Sequence, residues 1–211
     1  DPKLTISVPA DVTAATGIDA LAHCLEAYAN NFSHPLVDSF ALEGIRLIAA
    51  NLEKACLEPG NLEARSALAL GSLYGGMCLG PVNTAAAHAL AYPIGVHYHV
   101  GHGLSVALLL PAIIEFNLEA APRRYADIAV ALGATRSADD MATAKEGIVM
   151  PKKLMDACGM EGSLAELGIP QNAIPELAVD AIKVQRLLKN NLKTVSVADA
   201  EAIYRAAFCA A

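Results

Sequence analysis

An all-α fold is what this sequence predicts, and three observations predict it. The apolar content, 55% of residues, is carried largely by Ala and Leu, while aromatics make up 5% and Trp is absent. Ala and Leu are strong helix formers, whereas sheets favour branched and aromatic side chains. Proline, asparagine and glycine recur at helix-length intervals, where starts and stops are needed. Only residues 1–9 alternate as a strand does, with Leu4, Ile6 and Val8 apolar.

A single strand is not stable alone. Residues 1–9 are therefore read as the trailing edge of a sheet in an N-terminal part, and residues 10–211 as a multi-helix domain. The chain opens on Asp1 rather than Met, so a piece of a longer polypeptide is expected. Pro9 to Gly17 should start the helical region, with Asp11 or Thr13 as cap. Ile18 to Asn30 continues it with Ile18, Leu21, Ala22, Leu25 and Tyr28 on one face. Ser33-His34-Pro35 opens a second helix, because proline suits the first helical position, and Pro59-Gly60 closes it. Asn61 caps a third, Leu62 to Leu79. Asn83 or Thr84 begins the His88 helix, which Pro93 and Gly95 should disturb, and a loop around His97 to Gly101 leads to a helix from Gly103 to Asn117. Pro122, Gly133 and Pro151 punctuate two or three more. Gly159, Gly162, Gly168 and Pro170 mark a turn-rich link, and the last helix runs from Ala198 to Ala210, capped by Ser196 or Asp199.

With 211 residues the chain is long enough for a substantial core. A net charge of −7 with no cluster of Lys or Arg argues against nucleic acid as a partner. Five scattered cysteines (Cys24, Cys56, Cys78, Cys158, Cys209), an odd number with no C-x-x-C, point to a reducing, cytoplasmic setting and away from disulfides or thiolate metal sites. Mean hydropathy is +0.40, and no Asp, Glu, Lys or Arg occurs between Ser66 and Ile114. A membrane reading still fails. Ser66 to Val82 is glycine-rich and contains Pro81, while Ser105 to Ile114 is too short to span and contains Pro111. The apolar content suggests a homo-oligomer interface without locating it.

That uncharged stretch holds four of the six histidines: His88, His97, His99 and His102. A buried imidazole costs free energy unless it finds a partner. Asp19 and His23, four residues apart, share one helix face. Taken singly, the Asp19–His23 pair reads as a surface hydrogen bond, and each buried histidine as a ring satisfied by backbone carbonyls. Together, Asp19, His23, His88 and His102 offer one oxygen and three nitrogens, a donor set suited to Fe²⁺ or Zn²⁺. His102 at a helix start has its neutral, metal-binding form favoured by the helix dipole. Cys24 points about 100° away from His23 on the same helix and belongs to the core. His34 is read as a surface residue, and His97 and His99 as partly exposed.

These residues resemble the iron-dependent, group III alcohol dehydrogenases. Thr16-Gly17-Ile18-Asp19-Ala20-Leu21-Ala22-His23 with Glu26-Ala27-Tyr28 is similar to that family's first metal segment. His88-Ala89, Pro93-Ile94-Gly95, His102-Gly103 and Leu110-Pro111 are similar to its second. Leu187-Leu188-Lys189-Asn190-Asn191, with Asp199 and Ile203-Tyr204, is similar to its closing segment. The resemblance covers almost the whole chain. It implies that Asp19, His23, His88 and His102 are the metal ligands and that the activity is oxidation of a small alcohol or reduction of an aldehyde with NAD or NADP. It also implies that residues 1–9 end a nucleotide-binding region that binds the cofactor and that the fragment alone is inactive. Gly101-His102-Gly103 is no dinucleotide fingerprint, having no third glycine and no preceding strand.

One position departs from the family. Many members carry a histidine four residues after the one matching His88, in a proton relay, and here Tyr92 stands there. It is the candidate acid–base residue. Donating a proton, lining the pocket, or yielding the role to His97 or His99 are all open, and lining is favoured. Other classes share the residues: a metal-dependent hydrolase, for which Glu26 is the only nearby carboxylate, a zinc-dependent polyol dehydrogenase, and a non-catalytic helical module.

Overall fold

The computed structural model describes residues 1–160 and 162–209. Among them, ten α-helices succeed one another along the chain: α1 (Ala10–Tyr28), α2 (Pro35–Leu57), α3 (Leu62–Leu79), α4 (Ala86–Tyr98), α5 (His102–Leu118), α6 (Pro122–Leu132), α7 (Asp140–Ala157), α8 (Ile174–Ile182), α9 (Gln185–Leu188) and α10 (Val197–Ala206). The all-α expectation holds. The shorter α8 and α9 lie in a stretch for which the sequence pattern predicts no helix.

The strand expected in residues 1–9 is absent. Pro2–Thr5 forms a 3₁₀ turn, with the Asp1 carboxylate accepting the Lys3 N–H at 2.9 Å. Among the described residues no strand lies beside this segment to complete a ladder, and Leu4 is 78% exposed. With neither a ladder nor a face to bury, a period-2 pattern has nothing to stabilise it, and the local cap wins. The segment is instead tied to α3 by Arg65, a buried guanidinium that donates to Val8 O (3.3 Å), Pro59 O (3.1 Å) and Thr13 Oγ1 (2.7 Å).

Most helix ends obey local chemistry. Pro35 takes the first turn of α2, with the exposed His34 ring accepting the Leu36 N–H. Asn61 caps α3, and Ser196 with Asp199 forms a capping box on α10. The start of α1 differs, because Pro9 is its N-cap and no side chain caps it. The last helix, expected to reach Ala210, stops at Ala206, with Ala207 as its C-cap and residues 207–209 in turn and bend; Ala210 itself lies outside the described residues.

Two prolines do not punctuate as expected. Pro151 sits inside α7, and Pro93 sits inside α4, which continues to Tyr98. Proline removes the N–H that would bond four residues back and loosens that turn. At α4 the buried Tyr204 hydroxyl donates to the Leu90 carbonyl at 2.6 Å, so a tertiary bond braces the weakened turn. The linker to α5 therefore shrinks to His99–Gly101, with His99 in the left-handed region (φ 55°).

α1 lies at the centre, packed on α2, α3 and α5, while α4 rests on α5 and α8. Its Ile18, Leu21 and Leu25 are fully buried beside Leu90 and Ile94 of α4 and Leu109 and Leu110 of α5. The α4 and α5 parts of the uncharged stretch thus line the core, whereas α3 leaves Leu70, Leu73 and Met77 exposed. No helix among the described residues is long and apolar enough to cross a membrane. Two backbones approach closely near Asp19: a Cβ on Gly103 would stand 2.3 Å from Ala15 O. Glycine there lets the start of α5 press on the backbone of α1, one turn before Asp19.

Candidate metal centre

α1 projects Asp19, His23 and Glu26 from one face, spaced four and three residues apart. α4 brings up His88 in its first turn, and α5 begins with His102. All four residues expected as ligands converge. Asp19, His23 and His88 each offer a donor atom within 4.8 Å of the other two. Asp19 Oδ1 lies 3.3 Å from His88 Nε2 and 3.4 Å from His102 Nε2, and Asp19 Oδ2 lies 3.7 Å from His23 Nε2. His102 stands outside the tight set of three and reaches the group through Asp19. The His23 and His88 rings stack at 4.7 Å, and His88 and His102 are 5.3 Å apart.

Two polar atoms in this cluster are orphaned. Asp19 Oδ1 and His88 Nε2 are buried, face each other and have no aligned hydrogen bond. Buried polar atoms are almost always paired, so two orphans facing one point need an account. A divalent cation supplies one: donors about 3.3 Å apart suit tetrahedral bonds of about 2.0–2.1 Å. The residues present fit the group.

Electrostatics agree. Burial pulls the His88 imidazole down, but the carboxylates of Glu26 and Asp19 outweigh it and push it up to about 9. Two carboxylates around one ring demand positive charge there, as a proton or a cation. Burial works to raise Asp19, and the facing His88, with His23 and His102, holds it below the usual carboxylate range. His23 is lowered, by burial first and against the pull of Asp19, which favours the neutral form that ligates metals.

Glu26 is the residue whose part sequence reasoning missed. It is 2% exposed, with Oε2 2.6 Å from His88 Nδ1 and Oε1 accepting the Ala87 N–H at 2.5 Å. An acid three residues after His23 on an otherwise apolar face was the available signal. Arg186 was also missed. Its Nη2 donates to the Tyr92 hydroxyl at 3.1 Å, and the Tyr92 ring lies 5.9 Å from that of His102. His97 turns away to Asp180 (2.8 Å), and Cys24 is buried, its thiol against Gly71 O. A cleft of about 610 Å³ opens on Asp19 and His102, bordered by Thr16, Gly101 and Met160.

Comparison with known proteins identifies relatives of this arrangement. The chain is 39% identical over 209 residues to long-chain-alcohol dehydrogenase 1 of Geobacillus thermodenitrificans, covering 99% of this chain and 53% of that protein. It is 37% identical to 1,3-propanediol dehydrogenase of Klebsiella pneumoniae, with 99% and 54% covered. A crystal structure of 1,3-propanediol oxidoreductase superposes with a TM-score of 0.96 at 36% identity, covering 99% of this chain and 55% of that one. Sulfoacetaldehyde reductase from Bifidobacterium kashiwanohense, solved in complex with NAD+, superposes at 0.87 with 26% identity, covering 98% and 53%. The chain spans about half the length of the curated relatives it matches. Residues 13–208 match the model described as Fe-containing alcohol dehydrogenase family, C-terminal, and the chain accordingly belongs to the Fe-containing alcohol dehydrogenase family.

Proposed function

We propose that Asp19, His23, His88 and His102 hold one divalent cation, Fe²⁺ or Zn²⁺, and that residues 10–211 are the metal-binding catalytic domain of an NAD(P)-dependent alcohol dehydrogenase or aldehyde reductase. The observation that carries this is the pair of orphaned buried atoms, Asp19 Oδ1 and His88 Nε2, 3.3 Å apart. When bound, the cation supplies Lewis acidity toward the oxygen of a small alcohol or aldehyde. The family and the relatives' names support that substrate class, and the NAD+ complex of a neighbour supports the nicotinamide partner. The one-oxygen, three-nitrogen donor set accommodates iron and zinc alike.

The chain's own residues do the rest. Asp19 offsets positive charge at the centre, and the apolar walls of α4 and α5 exclude water and strengthen electrostatics there. Tyr92 stands beside His102, its hydroxyl held by Arg186 and its ring 5.9 Å from the His102 ring; we read it as a residue lining the substrate side of the centre rather than as the proton donor. Residues 1–9 are the junction to the region that binds the nicotinamide cofactor, so the 211-residue chain alone is expected to bind metal without turning over alcohol. A cytoplasmic homo-oligomer is the expected setting.

A hydrolase reading needs a carboxylate free to activate water, and Glu26 has both oxygens engaged by Ala87 and His88. The dehydrogenase reading is tested by elemental analysis of the purified chain beside His88→Ala and His102→Ala. Near-stoichiometric iron or zinc, lost in both variants, is the expected result. No metal after anaerobic addition of Fe²⁺ or Zn²⁺ would overturn it.

A further inference from the structure

We propose that Glu26 is the positioning residue that fixes which nitrogen of His88 faces the cation, an inference that rests on the metal site proposed above. Glu26 lies seven residues after Asp19 on α1, so the same helix face that presents a ligand also presents this carboxylate two turns on. It is 2% exposed and both of its oxygens are used, one on each of two consecutive residues of α4.

The two contacts differ in what they permit. The backbone N–H of Ala87 can only donate, so Oε1 must accept there, at 2.5 Å. Ala87 lies in the first turn of α4, whose N–H groups lack helical partners, and Ala85 offers no side-chain cap. Glu26 therefore satisfies an orphan donor from a neighbouring helix, and the helix start in turn pins the carboxylate. With Oε1 pinned, Oε2 sits 2.6 Å from His88 Nδ1. A lone pair on Nδ1 would face an oxygen lone pair at that distance. Nδ1 must therefore keep its hydrogen, so Nε2, the orphaned atom beside Asp19, is the nitrogen that gives up its proton and offers its lone pair when a cation takes the proton's place. An outer partner that fixes a ligating histidine's tautomer commonly contributes 10–100-fold in affinity.

Glutamine at this position separates tautomer control from packing, because it keeps the volume and one acceptor. The Ala87 N–H takes the amide oxygen, so the amide NH₂ points at Nδ1. Nδ1 must then accept, the ring hydrogen moves to Nε2, and the lone pair aimed at the cation is gone. Glu26→Asp keeps two acceptor oxygens on a shorter arm and serves as the conservative comparison.

The test uses the 211-residue chain with Zn²⁺ as probe. Zinc affinity is measured by competition with a chromophoric chelator for the unaltered protein, Glu26→Gln, Glu26→Asp and His88→Ala. The thermal midpoint of each is recorded after chelator treatment. About 10–100-fold weaker binding in Glu26→Gln is expected, with partial recovery in Glu26→Asp and a midpoint for Glu26→Gln close to that of the unaltered protein. ¹⁵N NMR of the zinc-loaded unaltered protein, which needs no variant, should find His88 with hydrogen on Nδ1 and zinc on Nε2. Zinc on Nδ1, or binding by Glu26→Gln within twofold of the unaltered protein, overturns the assignment to Glu26. Loss in His88→Ala with retention in Glu26→Gln removes only this inference, whereas retention in both removes the metal site beneath it.

Discussion

Asp19 Oδ1 and His88 Nε2 face each other across 3.3 Å, yet neither makes an aligned hydrogen bond. Two helices, α1 and α4, thus direct unsatisfied atoms at one point, and His102 adds a third donor 3.4 Å from the same Asp19 oxygen. His102 is 45% exposed where His88 is 3% exposed. His102→Ala should therefore leave the metal-free midpoint nearly unchanged while weakening metal binding. At zinc a hundredfold above the unaltered protein's Kd, binding adds about 2.7 kcal/mol to stability, and the variant should lose most of that increment. Thermal melts with and without Zn²⁺ check this; an equal increment in both proteins would remove His102 from the ligand set.

Gly103 sets how close α5 comes to α1. A Cβ at Gly103 would lie 2.3 Å from Ala15 O, whereas a Cβ at Gly101 meets nothing within 4 Å. Gly103→Ala forces two backbones apart beside His102, with a cost of about 1–3 kcal/mol from overpacking and weaker zinc binding. Gly101→Ala, at the N-cap of α5, should cost at most about 1 kcal/mol and leave zinc binding unchanged. Chemical denaturation and zinc titration of the two variants separate backbone approach from loop flexibility; matching behaviour would refute the role given to Gly103.

The Ser196–Asp199 box caps the N-terminus of α10. The Asp199 carboxyl is held below its ordinary 3.8, first by the Ser196 hydroxyl and then by the Ser196 backbone. A depressed folded value means that the contribution is present above 3.8 and is lost as pH falls through the lower folded value. Asp199→Asn keeps an acceptor but loses the charge in the first turn, and should cost about 0.3–1 kcal/mol at neutral pH. The gap to the unaltered protein should narrow below pH 3.8. Urea melts at pH 7 and in acid read it directly, and a gap independent of pH would exclude the carboxylate as the cap.

How much of this was legible in the amino-acid sequence depends on how local the physics is. Asn61, His34 and Ser196 accept N–H groups two or three positions away, and their helices start within a residue of where expected. Asp19 and His23 share a face by helical period alone, and the convergence with His88 and His102 was carried by the family resemblance. Residues 1–9 form no strand because a strand needs a neighbour that the pattern cannot provide. Pro93 does not break α4, and the Tyr204 hydroxyl that bonds a carbonyl of that turn, Leu90 O, comes from more than a hundred residues away. Glu26 presents the same difficulty: its place on an apolar face marked it as unusual, but its partners are 61 and 62 positions distant, so its part could not be read from its own helix.

The closing segment offers a test of that long-range order. Asn117 on α5 and Asn191 after α9 exchange reciprocal amide bonds at 2.9 and 2.8 Å, both side chains being buried. The Asn31 amide donates to Asn191 O, and Asn190 donates to Thr84 O just before α4. The segment thereby braces the loops that lead into α2 and α4. Asn191→Leu takes one partner from each polar atom of the buried Asn117 amide, which keeps only Ile113 O and a 3.4 Å contact from Lys193 N, an expected cost of about 1–3 kcal/mol. The double variant Asn117→Leu with Asn191→Leu removes both amides and should cost less than the sum of the singles, because buried partners in one network are coupled. Equilibrium unfolding of the four proteins gives the coupling energy. A sum that is simply additive would show that the two amides, though 2.8 Å apart, do not depend on each other.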